Sequence, residues 1–240
     1  MALTLNPTLD PAALAPDFAR HGRIHLPGVL AGQGAHVVHD ALNGPVPWMK
    51  CVRAAGDGGD VPMADWEGMT PETRTHWNRL LTDNSTRDLQ FQFDSWRVSD
   101  AIEGGRRDGD ALAPIEAVYD LLNSENFLAF VRTLTGEPRC DFCDAQATRY
   151  RPGDFLARHH DELTGMNRLF AYVLNLTPAW SPDWGGTLVF LDADNNVAEG
   201  YRPAYNALNI FRVPTPHAVT QVASFAAGNR LSITGWVRAR

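Results

Sequence analysis

The sequence predicts a mainly β protein with helices on its N-terminal side, the strands folding as a sandwich or jelly roll. From residue 143 onward the apolar pattern has a period of two. AQATRYR, RLFAYVLNLT, GTLVFLD, ALNIFRV, AVTQV and RLSITGWVRA are short runs rich in β-branched and aromatic residues, separated by Gly, Pro, Asp and Asn clusters. So many short runs in succession fit antiparallel layers better than an alternating α/β sheet. Before residue 143 the apolar residues recur instead at helical spacing.

Taken in order, 11–20 and Gly34–Leu42 read as helices, separated by the apolar run GRIHLPGVL. Residues 53–70, RAAGDGGDVPMADWEGMT, have the composition of a long loop and of a mobile lid. Residues 71–83 read as one helix and 114–136 as another; Pro71 and Pro114 suit first turns, and Gly136 suits a helix end. No linker divides the chain. The expected organisation is one domain over 1–240, with helical support and substrate loops in 1–140 and a jelly-roll core in 141–240.

Composition narrows the function classes. With 44% hydrophobic and 20% charged residues, the chain has the balance of an ordinary globular protein. A net charge of -7 without any Lys/Arg-rich run disfavours a nucleic-acid partner. No apolar run has the length of a membrane span, and MALTLNPTLDPAALAPDF lacks the basic and apolar regions of a signal peptide, so the sequence reads as cytoplasmic. Asn-x-Ser/Thr triplets at 84–86 and 175–177 carry no weight without a secretory signal. Cys51, Cys140 and Cys143 are too few for a disulfide framework. CDFC has no second Cys pair or nearby histidine to complete a zinc site, so buried reduced thiols are expected.

The stretch FLARHHDE places His159, His160 and Asp161 in succession. On extended backbone, residues i and i+2 share a face, so His159 and Asp161 converge while His160 points away. One imidazole and one carboxylate are two of the three ligands of a 2-His-1-carboxylate site, and the third must come from a distant strand. Of the other histidines, His21, His25, His36, His39 and His76 lie in the N-terminal half; His217, in VPTPHAVTQV, lies within the strand-rich half. Beyond it comes Arg230, whose planar fork suits a ligand carboxylate, with Ser232 on the same face.

In this order, YRPGDFLARHHDE, YVLNLTPAWSPDWGGTLVFL, VPTPHAVTQV and RLSITGWV resemble the Fe(II)- and 2-oxoglutarate-dependent dioxygenases. The likeness is to the prolyl 4-hydroxylase-like branch and, within it, to the catalytic domain of ribosomal-protein prolyl hydroxylases. It covers roughly residues 143–240. The resemblance implies a double-stranded β-helix with Fe(II) on His159, Asp161 and His217. It implies 2-oxoglutarate as cosubstrate, held by Arg230 with Ser232 and the Tyr150 hydroxyl, and O2 as oxidant. The implied reaction hydroxylates an unactivated C–H and yields succinate and CO2. Trp236 is either a wall of the substrate pocket or a core aromatic.

The implied substrate is a prolyl residue of a protein or peptide. The chain stops four residues past Trp236, so the second, non-catalytic jelly roll of the ribosomal enzymes is expected to be absent. That leaves a free amino acid or other small metabolite as the alternative, which a second basic residue in the pocket would favour. A third reading, of another class, is a non-catalytic metal-binding module. Oligomeric state is not legible.

Overall fold

The computed structural model describes residues 2–83, 89–107 and 109–240, so the triplet at 84–86 lies outside it. Helix α1 (Pro11–His21) starts where Asp10 accepts hydrogen bonds from the Ala12 and Ala13 amides, with Pro11 in the first turn. GRIHLP then forms strand β1 (Arg23–Pro27), and helix α2 spans Gly34–Leu42. Residues 53–70 are not the expected loop. They complete β2 (Met49–Ala54) and form β3 (Asp57–Pro62) and α3 (Met63–Glu67). Ala55 and Gly56, both at positive φ, make the two-residue turn that closes this hairpin, so a Gly/Asp-rich stretch reads as loop although it pairs.

Helix α4 (Pro71–Asp83), strand β4 (Phe91–Trp96) and helix α5 (Val98–Glu103) follow. The single helix expected over 114–136 is two, α6 (Ala113–Leu122) and α7 (Glu125–Thr135). Ser124 adopts extended backbone, and its hydroxyl accepts the Phe127 amide; this N-cap breaks an otherwise continuous apolar pattern. Gly136 ends α7 at φ 71°, as its position in the sequence suggests. Among the described residues, the half before residue 141 therefore contributes four strands as well as helices.

The remaining strands are β5 (Phe142–Cys143), β6 (Gln146–Tyr150), β7 (Phe155–His159), β8 (Arg168–Asn175), β9 (Leu188–Leu191), β10 (Val197–Tyr201), β11 (Ala207–Arg212), β12 (His217–Val219) and β13 (Arg230–Arg238). The ladder runs β1-β11-β8-β13-β6-β4-β7-β12-β9-β10, with all described pairings antiparallel. It curls into a nearly closed jelly-roll barrel. Strand β4 joins its two layers by pairing with β6 through Asp94–Trp96 and with β7 through Phe91 and Gln92. At the opposite side the terminal strands β1 and β10 approach through an Arg23–Glu199 ion pair and a His25–Tyr201 ring contact.

Strand alternation separates two cores. On β8, Phe170, Tyr172 and Leu174 point outward to the layer formed with Phe18, Val38, Leu122 and Val131 of the helices. Ala171 and Val173 point into the barrel with Leu188, Phe190 and Phe211. Asn175 is buried within β8, and Cys51, Cys140 and Cys143 are buried free thiols.

Candidate metal centre

His159 closes β7 and His217 opens β12, and the two are direct partners across this antiparallel pair. Their ring centroids are 4.1 Å apart. Asp161 lies two residues past the end of β7. Its Oδ1 is 3.3 Å from His159 Nε2 and its Oδ2 is 3.3 Å from His217 Nε2. The three side chains can each offer one ligand atom to a common ion.

The three converge, but not by simple alternation. Asp161 has φ +62°, so the chain leaves the strand and turns through left-handed backbone. Arg168 supports this turn: its Nη1 donates to the Asp161 carbonyl at 3.0 Å. His160 is exposed, and its Nδ1 accepts the Glu162 amide, outside the cluster.

The ring nitrogens identify what the cluster lacks. His159 Nδ1 is 3.0 Å from the Ala157 carbonyl, and His217 Nδ1 is 2.7 Å from the Thr215 carbonyl. A carbonyl only accepts, so both Nδ1 atoms carry hydrogen, and in the neutral rings both Nε2 atoms present lone pairs. Those lone pairs face the oxygens of a carboxylate. Burial pushes the Asp161 carboxyl up, and only positive charge at the imidazoles, a proton on each ring or a cation between them, holds it well below the usual carboxylate range. A cation among two Nε2 atoms and one carboxylate resolves the crowding of acceptors, and mixed N/O donors suit Fe(II).

An open cavity extends from this cluster into the barrel. Arg230 lies at its inner end, only 2% exposed, with its Cζ 5.0 Å from the Tyr150 ring. Its Nε has no hydrogen-bond partner, and among the described residues no carboxylate pairs with it. Burial without an anion pushes the guanidinium down from its ordinary value. A buried, uncompensated cation facing a cavity fits a carboxylate-bearing ligand. Tyr150 also lines the cavity, and burial holds its hydroxyl well above the usual phenol range, so it remains a donor.

Residues 145–238 match the family model described as 2OG-Fe(II) oxygenase superfamily. Over those residues the chain is similar to that superfamily. Prolyl 3-hydroxylase OGFOD1 of Mus musculus is 34% identical over 119 residues, which are 47% of this chain and 21% of that protein. The Xenopus laevis protein of the same name is 32% identical over 119 residues, 47% of this chain and 23% of that one. The chain thus spans less than a quarter of the length of these curated relatives. A prolyl-4-hydroxylase from Pseudomonas putida superposes with TM-score 0.60 at 20% identity, covering 96% of this chain and 100% of that one. A prolyl hydroxylase from Trichoplax adhaerens, solved with a hypoxia inducible factor oxygen degradation domain peptide fragment, gives TM-score 0.57 at 14% identity, covering 95% and 89%. These structural likenesses establish the shared fold.

Within the matched residues, Ser232 is the sequence-selected residue that the structure keeps out of the cavity lining. Its hydroxyl is 2.7 Å from Thr148 Oγ1, and Thr148 lines the cavity in its place. Thr148 and Gln146 follow from alternation, being i−2 and i−4 from Tyr150 on the same strand face. Trp236 lines the cavity and also an adjoining polar recess with Asp144, Arg168 and Arg238. Arg168 stacks on the Trp236 ring at 3.5 Å, and both its Nε and Trp236 Nε1 lack partners. Arg168 was not singled out in the sequence; its signal is a cation opening the strand that follows His-x-Asp.

Proposed function

We propose that this oxygenase hydroxylates a prolyl residue of a protein or peptide, using Fe(II), 2-oxoglutarate and O2 and releasing succinate and CO2. The observation that carries the reading is the placement, in one cavity, of an acceptor-only triad and a buried guanidinium without an anion. In this reading His159, Asp161 and His217 hold the iron. Arg230 takes the distal carboxylate of 2-oxoglutarate, and Tyr150 donates to it. Thr148, fixed by Ser232, adds a hydroxyl beside them. When bound, iron and cosubstrate supply the oxidising chemistry that converts C–H to C–OH. The chain's own residues bind, orient and exclude water: Leu188, Phe211, Val219 and Trp236 wall the cavity with apolar surface.

A peptide is favoured over a free amino acid by the charge of the cavity. Among the described residues Arg230 is the only Lys or Arg lining this cavity, while Arg168 of the adjoining recess is already stacked on Trp236 and bonded to the Asp161 carbonyl. The unpartnered Arg168 Nε and Trp236 Nε1 are instead donors suited to a peptide carbonyl. Curated relatives named as prolyl 3-hydroxylases point the same way. We take 1–240 as one catalytic unit, since β1 to β4 are hydrogen-bonded into the same ladder as the metal strands. No helix among the described residues is long and apolar enough to cross a membrane. A cytoplasmic location, suggested by the sequence, belongs to the same proposal.

The test is succinate release with Fe(II) and 2-oxoglutarate, with and without proline-containing peptides. Turnover stimulated by peptide, with a mass gain of one oxygen on proline, is expected. Stimulation by free amino acids alone would replace the peptide reading, and failure to bind 2-oxoglutarate would leave only a metal-binding module.

A further inference from the structure

Arg230 has no anion to fix its direction, so packing around its aliphatic stem must do so. One side of the guanidinium rests on the Tyr150 ring. Beside its stem runs the backbone of Gly186, where an added side chain would be tight. A Cβ at Gly186 would lie 3.2 Å from Arg230 Cδ, 3.3 Å from Trp180 Cζ2 and 3.3 Å from Val222 Cγ2. Gly186 also sits at φ +62°. The turn that brings it there is held from both ends: Trp180 Nε1 donates to the Gly185 carbonyl at 2.9 Å, and the Gly186 amide donates to the Thr220 carbonyl at 3.2 Å. Gly185 cannot be replaced, because a Cβ there would lie 2.1 Å from the Gln221 carbonyl oxygen.

We infer that Gly186 and Trp180 are positioning residues for the 2-oxoglutarate carboxylate, acting through Arg230: the Gly-Gly turn and the Trp180 ring bound the space around its Cδ, and the Tyr150 ring faces its Cζ. The inference rests on the cosubstrate role proposed for Arg230. An added methyl group would crowd Arg230 Cδ, the Trp180 ring and Val222 alike, and of the three the Arg230 stem is the most flexible and yields most readily. A displacement at Cδ moves the whole guanidinium, and two-point pairing with a carboxylate is sensitive to such a shift.

Gly186→Ala tests this, provided that the strain of left-handed backbone is separated from the contact. Gly136 supplies the control: it has φ +71°, lies at the end of α7, and a Cβ there would meet nothing within 4 Å. Both Ala variants should lose thermal stability to a similar degree. Only Gly186→Ala should weaken 2-oxoglutarate binding to the Fe(II)-loaded protein, measured by anaerobic calorimetry, by about five- to tenfold. Iron affinity should stay within about twofold, and with peptide present the apparent KM for 2-oxoglutarate should rise at nearly constant kcat. In an Arg230→Lys background, Gly186→Ala should add less than about twofold, because the group it acts through is already altered. Trp180→Phe, which removes the bond to Gly185 and the ring edge beside Cδ, should weaken 2-oxoglutarate in the same direction and serves if Gly186→Ala does not fold. Native 2-oxoglutarate affinity in Gly186→Ala, or in Trp180→Phe should it stand in, overturns the inference while leaving the proposed function intact. Absence of 2-oxoglutarate binding in the unmodified protein overturns both.

Discussion

The two ends of the cavity are built on opposite electrostatic imbalances. At the outer end, two imidazole nitrogens and a carboxylate crowd together as acceptors with no donor among them. At the inner end, a guanidinium is buried with an unbonded Nε and no carboxylate. Neither arrangement is favourable alone, since buried polar groups without partners cost stability. One end calls for a cation and the other for an anion, and a metal chelated by a dicarboxylate answers both. The comparison separates two functions within one pocket, and each can be broken without the other.

The largest effect is expected at the outer end. His159→Ala should abolish turnover and weaken Fe(II) binding by more than about a hundredfold, because loss of mere supporting partners of a metal ligand already costs about 10–100-fold. His160→Ala, one residue on, should keep both, since that ring is exposed and bonded only to the Glu162 amide. Metal titration of the two variants in parallel checks the pair. Equal loss in both would mean that the cluster does not select His159.

At the inner end the separation is tested by Arg230→Ala. It should weaken 2-oxoglutarate by on the order of 30- to 4,000-fold, the range for losing one partner of a buried charge pair, while Fe(II) affinity stays nearly unchanged. Equal loss of iron would sink the division of roles. Arg230→Met sharpens the same point in the unliganded protein. Replacing a buried, unpaired cation by an apolar side chain of similar length should raise stability by about 1–4 kcal/mol, read as a higher Tm.

Much of this cavity was legible from sequence because its parts lie on strands, where period and order carry information. His217 is legible as the one further histidine in the strand-rich half beyond the His159–Asp161 stretch, and Arg230 as a cation that follows it. Asp161 was reached by a rule that does not apply there: its left-handed backbone, rather than strand alternation, aims the carboxylate. The Ser232 assignment stopped at the shared strand face, because which of two neighbouring hydroxyls meets the cavity depends on the partner strand. Over 53–70 and 114–136, composition and apolar spacing hid a hairpin turn and an N-cap, since single residues such as Gly56 and Ser124 set those boundaries. Arg168 is not legible in the sequence because its role depends on a tertiary stack with Trp236 and not on any local pattern.

The smaller effects lie away from the reacting centre. Trp236→Ala should raise the KM for peptide while 2-oxoglutarate and Fe(II) affinities stay within about threefold, a loss of about 1 kcal/mol or more being usual for an interface anchor. A matching loss of 2-oxoglutarate would place Trp236 in the cosubstrate end instead.

The smallest effect is expected at the seam between β1 and β10, where Arg23 pairs with Glu199. Burial pushes the Glu199 carboxyl up, but Arg23 and Tyr201 hold it below its usual value. A depressed carboxylate stabilises the fold above its unfolded pKa, and that contribution is lost as the pH falls through the folded value. Glu199→Gln should therefore lower Tm only slightly near neutrality, by no more than about 1 kcal/mol for a partly exposed pair. Its deficit against the unmodified protein should shrink as the pH drops below the ordinary glutamate range. A deficit independent of pH would assign the seam to packing, through Arg23 on the Phe190 ring, rather than to charge. Because Phe190 lies beside His217, the same variant bears on the comparison of cavity ends. Unchanged Fe(II) affinity in Glu199→Gln would confine the seam to stability, whereas weakened iron would show that closing the barrel helps to hold the outer end.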